Sequence, residues 1–264
     1  MTQHLPSSSV DGPPPVAFRL PMSQPRWAFI LLGINLLVFV AMTVFGAANG
    51  LGLNGSQDSR VLLLFGAMQN QLIAHGEYYR LFTSMFLHIG LIHLAFNMYA
   101  LYVIGQDVER LYGAPRFLLI YLLGGLGGSL ASYLLSSGGL SAGASGAIFA
   151  LIGASIAYFY LHRNTFGARG QAQLRSMLML AGINLLFGFT IPGINNLAHL
   201  GGLIFGALLG AILAPHYETP SVFSSTGNAL TLHDTTTLAR RAPALLGVTA
   251  LLIAMGVLGT LRWG

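Results

Sequence analysis

The 264-residue sequence contains no cysteine and no lysine, and only 7% of its residues are charged. Without cysteine, disulfides, thiolate metal sites and a cysteine nucleophile are excluded. An average soluble domain carries roughly 25% charged residues. The scarcity of charge, together with 54% hydrophobic residues, therefore indicates an integral membrane protein. The formal charge of +5 comes from dispersed arginines that flank apolar runs, which is typical of topology signals rather than of nucleic-acid binding.

Long apolar runs predict seven transmembrane spans. They cover residues 27–47, 91–112, 116–136, 145–161, 174–191, 197–214 and 243–262. The pattern predicts an all-α polytopic membrane protein with a six-helix core at 27–214 and a seventh helix within 243–264. The polar, proline-rich residues 1–26 are typical of a disordered tail rather than of a secretory signal. We interpret 215–242 as a flexible linker and 48–90 as an interfacial loop with short amphipathic helices.

The distribution of arginine predicts the orientation of these spans. Nine arginines fall on the side of the N-terminus and three on the opposite side, so the N-terminus and the linker should be cytoplasmic. The predicted location is the cell (inner) membrane. Spans 2, 4 and 6 then run in the same direction, and the polar residues near their starts should meet at the extracytoplasmic end. These residues are His88, His93, Asn97, Ser145 and His199.

Ser145 and His199 are the candidate catalytic pair. A polar residue within a membrane span is costly and marks a functional site, and a serine with a histidine is the minimum for a nucleophile with its base. Gly202 and other small residues four apart predict close helix packing, which would bring the pair within hydrogen-bond reach. Gly143 and Gly146 would let another backbone or a substrate approach closely. Taken alone, the serine could also be a helix N-cap, and the histidine could be a buried residue bonded to a carbonyl.

No acidic residue lies within spans 3 to 7, so the sequence predicts a Ser–His dyad rather than a triad. Phe149, one turn after Ser145, should stack on the imidazole and orient it. His93 and Asn97 are four residues apart and share one helix face. Both can donate hydrogen bonds, so we predict that they form an oxyanion hole with the backbone N–H of Ser145. Interhelical hydrogen bonding is the alternative role for this pair, and His88 should point elsewhere and support the site.

A zinc site is the main alternative for a cluster of histidines. Helical ligand pairs are usually three or four residues apart, whereas His88 and His93 are separated by five. The sequence also has no His-Glu-x-x-His motif and no carboxylate near these positions. We therefore expect neither a metal ion nor another cofactor.

The motifs of this chain, taken in order, resemble those of the rhomboid family of intramembrane serine proteases. The resemblance covers roughly residues 60–214. The matching segments are Gly76–Thr83, His88–Asn97, the pattern Asn97-x3-Leu101-x3-Gly105-x3-Glu109-Arg110-x2-Gly113, Gly143-Ala144-Ser145-Gly146, and Ala198-His199-x2-Gly202-x3-Gly206. Many relatives carry tyrosine where this chain has Phe149, and the seventh span resembles that of a six-plus-one subgroup.

This resemblance implies roles for individual residues. Ser145 matches the nucleophile, His199 its general base, and His93 and Asn97 the oxyanion hole. Glu109 and Arg110 match a structural pair that holds the turn between spans 2 and 3. The implied substrates are single-pass membrane proteins with extracytoplasmic N-termini.

The sequence thus predicts a serine endopeptidase that cleaves in or near transmembrane segments through an acyl-enzyme. A helical substrate must partly unwind before attack, so helix-weakening glycine or proline should favour cleavage. One rival is a catalytically inactive rhomboid-like scaffold or chaperone that binds client helices, but an intact Ser–His pair argues against it. A second rival is a small transporter, which would be expected to have a charged or broken span near the midplane or an inverted repeat.

Overall fold

A computed structural model describes residues 17–19, 21–218 and 229–264 of the chain. Most of the predicted disordered tail, 1–26, lies outside the described residues. The chain divides into two compact units. The larger comprises Met22–Ala214 and Thr236–Gly264, and the smaller comprises the described residues of Met1–Pro21 and Pro215–Thr235.

The larger unit is built from helices, which confirms the all-α prediction. In chain order they are α1 (Trp27–Ala48), α2 (Ser59–Leu64), α3 (Asn70–Ala74), α4 (Arg80–Thr83), α5 (Gly90–Ala100), α6 (Gln106–Tyr112), α7 (Ala114–Leu135), α8 (Ser145–Leu161), α9 (Arg163–Thr190), α10 (Asn196–Leu213) and α11 (Leu238–Trp263). Single 3₁₀ segments occupy Gly52–Gln57 and Ser84–Phe86, and a π-helical turn at Leu101–Gly105 joins α5 to α6.

All seven predicted spans coincide with apolar helices. Within the described residues, α1, α7, α9, α10 and α11 are each long and apolar enough to cross a bilayer. The second span is a bent pair, Arg80–Phe86 and Gly90–Tyr112, whose two parts meet at 88°. Helix α8 has 17 residues, which at about 1.5 Å per residue gives about 25 Å, slightly less than the roughly 30 Å hydrocarbon core. These helices make the chain a multi-pass membrane protein.

Two helices are longer than the apolar runs that predict them. Helix α9 begins at Arg163 rather than at 174, and α11 begins at Leu238 rather than at 243. An apolar run marks the stretch that can lie in lipid, whereas backbone hydrogen bonding continues through polar residues beyond it. Helix α9 is also kinked at Gly167, whose φ of 52° and ψ of −134° are not helical.

Helix α8 lies at the centre of the bundle, with 12 of its 17 residues buried. It packs mainly against α10 and α7. Helix α9, in contrast, is mostly exposed. Its buried residues are Gly170 and Ala181, and its Phe189 side chain is 81% exposed. An apolar side chain exposed on a membrane helix faces lipid at no hydrophobic cost. The residues at the start of α8 are therefore enclosed by protein rather than by lipid.

In the part of the chain that the structure describes, short strands form three two-stranded pairs. The strands are β1 (Ala17–Arg19), β2 (Met68–Gln69), β3 (Leu140–Ser141), β4 (Tyr217–Glu218), β5 (Ala229–Thr231) and β6 (His233–Asp234). In the smaller unit, β1 pairs with β5 in parallel and β4 with β6 antiparallel. In the larger unit, β2 pairs antiparallel with β3. This last pair ties the loop at 48–90 to the segment that leads into α8.

The loop at 48–90 is held together by a buried arginine. The Arg80 guanidinium donates to the carbonyl oxygens of Leu63 at 2.7 Å and Ala67 at 3.1 Å, and it pairs with the Glu77 carboxylate at 2.6 Å. A buried guanidinium needs such partners because an unpaired charge away from water is costly. The loop thus forms an ordered platform of short helices, whereas its location in the membrane interface stays a prediction.

Candidate active site

Ser145 is the first residue of α8, and its side chain does not cap the helix. The preceding residue, Ala144, occupies the N-cap position, and no side-chain hydrogen bond caps this end. The Ser145 Oγ instead lies 2.9 Å from the Nε2 atom of His199. The structure therefore brings together the two residues that the sequence predicts to meet, and it disfavours the N-cap alternative.

His199 is held by the first turn of α10, where Asn195 is the N-cap. The Asn195 Oδ1 accepts from the Ala198 N–H at 3.1 Å, while its Nδ2 donates to the Oγ of Ser132 at 2.6 Å and of Ser141 at 3.0 Å. This one side chain joins α10 to α7 and to the segment before α8. Asn195 is absent from the sequence-predicted site, although an asparagine directly before an apolar run is a recognised N-cap signal.

Glycines set the distance between α8 and α10. A Cβ atom built on any of three α10 glycines would lie inside van der Waals contact with the α8 backbone. The facing pairs are Gly202 with Gly146, Gly206 with Ala150, and Gly210 with Ala154. Gly146 directly follows Ser145 and Gly202 lies one turn after His199, so the close approach of the two backbones brings Ser145 and His199 within hydrogen-bond distance.

Phe149 stacks on the imidazole of His199. The ring centroids are 4.3 Å apart and the planes differ by 12°. The imidazole is nearly buried, at 8% exposure, and its Nδ1 has no hydrogen-bond partner among the described residues. The contact predicted from the sequence is thus present, and the ring is oriented by packing and by its bond to Ser145.

The carboxylates of the larger unit are engaged elsewhere. Asp58 pairs with Arg60 at 2.9 Å, Glu77 with Arg80 at 2.6 Å, and Asp107 with Arg110 at 3.1 Å. Hydrogen bonds from Tyr79 and Arg80 lower the pKa of Glu77. None of these carboxylates contacts the Nδ1 of His199, which has no hydrogen-bond partner among the described residues.

Glu109 has a different structural role from the one implied by the resemblance. Its fully buried carboxylate accepts hydrogen bonds from the backbone N–H groups of Arg26, Trp27 and Ala28 at 2.8–3.0 Å. It therefore caps the N-terminus of α1, where free N–H groups and the helix dipole favour a negative charge. Arg110 pairs with Asp107 on its own helix. The Glu109 side chain thus fastens the end of the second span to the start of the first, while its backbone carbonyl accepts from the Gly113 N–H at 2.9 Å in the turn between spans 2 and 3.

His93 lies beside Ser145, across Gly143. A Cβ atom on Gly143 would lie 3.0 Å from the His93 Nε2 and 3.7 Å from the Ser145 Oγ, so imidazole and hydroxyl flank the same point. Gly143 also has a φ of +146°, a conformation that L side chains rarely adopt. Both the backbone and the available space therefore require glycine at this position.

Asn97 is buried on the same helix as His93. Its Nδ2 donates to the backbone carbonyl of His93 at 2.8 Å. An amide nitrogen carries two N–H groups, so one remains for a further acceptor. The Ile89 N–H lies 3.4 Å from the His93 Nδ1; if Nδ1 accepts this bond, the proton of a neutral ring is on Nε2, the atom next to Gly143.

His88 does not point away from the site. It is fully buried, and its ring packs on that of His93 with centroids 5.4 Å apart. His88 precedes the first residue of α5, in the bend of the second span, so the helical angle that predicts a divergent direction does not apply. Among the described residues, no group of three or more His, Cys, Asp or Glu side chains is arranged to hold a metal ion.

Comparison with known proteins identifies the family. The rhomboid domain family matches residues 75–216. The chain is 41% identical over 194 residues to the rhomboid protease GluP of Bacillus subtilis (strain 168), which covers 72% of this chain and 35% of that protein. It is 40% identical over 163 residues to RHOMBOID-like protein 1 of Arabidopsis thaliana, covering 61% of this chain and 41% of that protein. It is 34% identical over 210 residues to the rhomboid protease AarA of Providencia stuartii, covering 70% of this chain and 72% of that protein.

The matched region is a larger share of AarA than of the other two relatives. The chain spans less than half the length of GluP and of RHOMBOID-like protein 1. The rhomboid domain match contains Ser145, His199, His93 and Asn97.

Proposed function

The chain belongs to the rhomboid family, and we propose that it is an intramembrane serine endopeptidase with Ser145 as nucleophile and His199 as general base. The observation that carries this proposal is the 2.9 Å hydrogen bond between Ser145 Oγ and His199 Nε2. A serine whose hydroxyl contacts a histidine nitrogen has the geometry of an activated nucleophile. The names of GluP and AarA, both rhomboid proteases, support the same reaction class.

The proposed reaction has two stages. The Ser145 Oγ attacks the substrate carbonyl carbon while its proton moves to His199 Nε2, and the resulting imidazolium gives that proton to the leaving amine. In the second stage His199 Nε2 takes a proton from a water molecule as the water oxygen attacks the acyl carbon, and it returns that proton to Ser145 Oγ as the ester bond breaks and the acid product leaves. Nδ1 must carry the proton when Nε2 acts as base, and among the residues that the structure describes it has no carboxylate partner. The imidazolium is therefore stabilised mainly by the oxyanion that forms beside it and by the Phe149 face.

We assign the oxyanion hole to His93, Asn97 and the Ser145 backbone N–H. The first N–H groups of a helix have no partner within the helix, and the N-terminal dipole favours negative charge. The N–H of Ser145, the first residue of α8, is in this position. The His93 Nε2 faces the same space across Gly143, and Asn97 retains one N–H. Because the site is largely enclosed by protein, water competes poorly with the oxyanion for these donors.

The proposed substrates are membrane proteins. We place the N-terminus in the cytoplasm and the dyad near the extracytoplasmic surface of the cell (inner) membrane, because arginine is concentrated on the N-terminal side. A dyad at helix ends can receive water from that surface. Single-pass substrates with extracytoplasmic N-termini, and with glycine or proline near the cleaved bond, expose carbonyls there most easily.

Active-site labelling tests the nucleophile directly. A fluorophosphonate probe should label the purified wild type in detergent or lipid, and Ser145→Ala should abolish labelling because the attacking oxygen is removed. Ser155→Ala is the matched control. Ser155 lies on the same helix, is buried and donates only to its own helix, at Leu151 O, so its loss should leave labelling unchanged.

Two labelling results would contradict the protease function. Persistent labelling of Ser145→Ala would mean that another residue reacts with the probe. A folded wild type that the probe does not label, and that cleaves no membrane substrate, would favour the inactive scaffold that binds client helices.

Asn97→Ala should lower kcat by about 10²–10³-fold with little change in KM, since removal of one oxyanion donor typically costs about 2.7–4 kcal/mol. The measurement is the steady-state cleavage rate of a single-pass substrate over a range of mole fractions in lipid. Asn184→Ala is the control because Asn184 makes the same type of bond, from Nδ2 to the carbonyl of Leu180 at 2.8 Å, on exposed α9. A rise in KM without loss of kcat would place Asn97 in substrate binding instead.

A further inference from the structure

The end of the seventh helix, α11, supplies hydrogen-bond donors to the end of α7. The last carbonyl groups of a helix have no partner within it. At the end of α7, the Trp263 indole N–H donates to Tyr133 O at 2.8 Å. The Arg262 guanidinium donates to the carbonyl oxygens of Leu134 and Ser136. Two side chains from the final turn of α11 thus satisfy three carbonyls around the C-terminus of α7, where a cation also complements the helix dipole.

Close packing supports these hydrogen bonds. A Cβ atom on Gly259 would overlap the ring of Tyr133, so a glycine allows α11 to lie against this fully buried side chain. The Tyr133 hydroxyl donates to Thr260 Oγ1 at 3.3 Å. A Cβ atom on Gly138 would lie 3.2 Å from the Trp263 ring. The contact therefore involves both the end of α7 and the start of the segment that follows it.

That segment, residues 136–144, leads directly to the nucleophile. At its start, Ser136 O accepts from Arg262 at 3.1 Å, and Ser136 Oγ accepts from Asn70 Nδ2 at 3.1 Å. At its end, the Gly143 N–H donates to Ser84 O at 2.9 Å. Hydrogen bonds thus hold both ends of the segment in place, and Arg262 of α11 donates one of the bonds at its start.

We propose that Arg262 and Trp263 are positioning residues, through which the seventh helix holds residues 136–144 in the geometry that acylation of Ser145 requires. The proposal rests on the protease function proposed above. The two side chains touch no reacting atom. They act through the end of α7 and Gly143, which separates the predicted nucleophile from His93.

The test uses the full-length chain in lipid and four substitutions. Arg262→Met keeps an apolar stem but loses the donors, Arg262→Lys restores a donor and the charge, and Trp263→Phe keeps a ring but loses the N–H. Arg240→Met is the control, since it removes the same charge from the exposed, opposite end of α11. The readouts are the second-order rate constant for fluorophosphonate labelling of Ser145, amide hydrogen exchange of residues 136–144, and thermal unfolding.

Arg262→Met should slow labelling about tenfold, the scale of a sub-ångström displacement of a reacting group. It should also speed hydrogen exchange in 136–144 while exchange in α8 and α10 stays at the wild-type rate. Trp263→Phe should change both readouts in the same direction but less, Arg262→Lys should recover most of the labelling rate, and Arg240→Met should match the wild type.

Two results would overturn the proposal. The first is wild-type labelling and exchange in Arg262→Met, which would make the contact irrelevant to the site. The second is faster exchange throughout the bundle with a lowered unfolding temperature, which would give α11 a general structural role. If the wild type itself were not labelled, the protease function would fail, and exchange in 136–144 would still decide whether Arg262 holds the segment.

Discussion

Substrate cleavage by His199→Ala should fall on the order of 10⁴-fold or more below that of the wild type, because the proposed acceptor of the serine proton is removed. The imidazole Nε2 lies 2.9 Å from Ser145 Oγ and is held there by the stacked Phe149 ring. His199→Gln should be equally inactive, since an amide can accept a hydrogen bond from the hydroxyl but is not basic enough to take its proton. The measurement is cleavage of a single-pass substrate in lipid, followed to long times.

His75→Ala is the matched control for the loss of a histidine. His75 lies exposed at the end of α3, and its Nδ1 contacts the carbonyl of Gln71. Its replacement should leave the cleavage rate within about twofold of the wild type, as for most surface substitutions. Substantial activity in His199→Gln would mean that the hydrogen bond only orients the serine, and that a different group acts as base.

The juxtaposition of Ser145 and His199 could be predicted from the sequence because two independent constraints agree. Counting spans places both residues at the same end of the bundle, and small residues four apart on each span permit the backbones to approach. The stacking partner followed from helical spacing, since Phe149 lies one turn after Ser145. Constraints of this kind are local or periodic, and a single sequence contains them in full.

The long-range capping contacts could not be predicted in this way. Glu109 caps α1 from a position 81–83 residues away in sequence, and Arg262 reaches carbonyls that are 126 and 128 residues away. Any buried carboxylate or interfacial arginine needs a partner, but the sequence does not say which helix end is nearest. That choice depends on how the helices pack, which residue types alone do not specify.

His88 illustrates a limit of periodic reasoning. A helical angle counted from His93 assumes that both residues lie on one helix, but the second span bends by 88° between Phe86 and Gly90. Gly90, with a φ of +81°, begins the new helix. The bend carries His88 back against the His93 ring, so the two histidines are in contact despite their spacing of five.

Gly206→Val should both destabilise the protein and separate the dyad. A Cβ atom at this position would lie inside van der Waals contact with the backbone of Ala150, and backbone cannot move aside as a flexible side chain can. Overpacking of this kind typically costs about 1–3 kcal/mol of the free energy of unfolding. Because α8 and α10 also carry Ser145 and His199, widening their interface by about 1 Å should slow the reaction about 10²-fold.

The measurements for Gly206→Val are chemical unfolding in detergent and the fluorophosphonate labelling rate, compared with Gly182→Ala and Gly210→Ala. Gly182 lies within α9, where a Cβ atom added to the glycine would meet no other atom within 4 Å, so alanine should be neutral or slightly stabilising. Gly210 faces Ala154 and lies one turn farther from the dyad than Gly206. Its replacement should therefore destabilise the protein with a smaller loss of labelling than Gly206→Val causes. Equal labelling by Gly206→Val and the wild type would show that the dyad geometry does not depend on this interface, and the explanation of how the two helices bring serine and histidine together would be wrong.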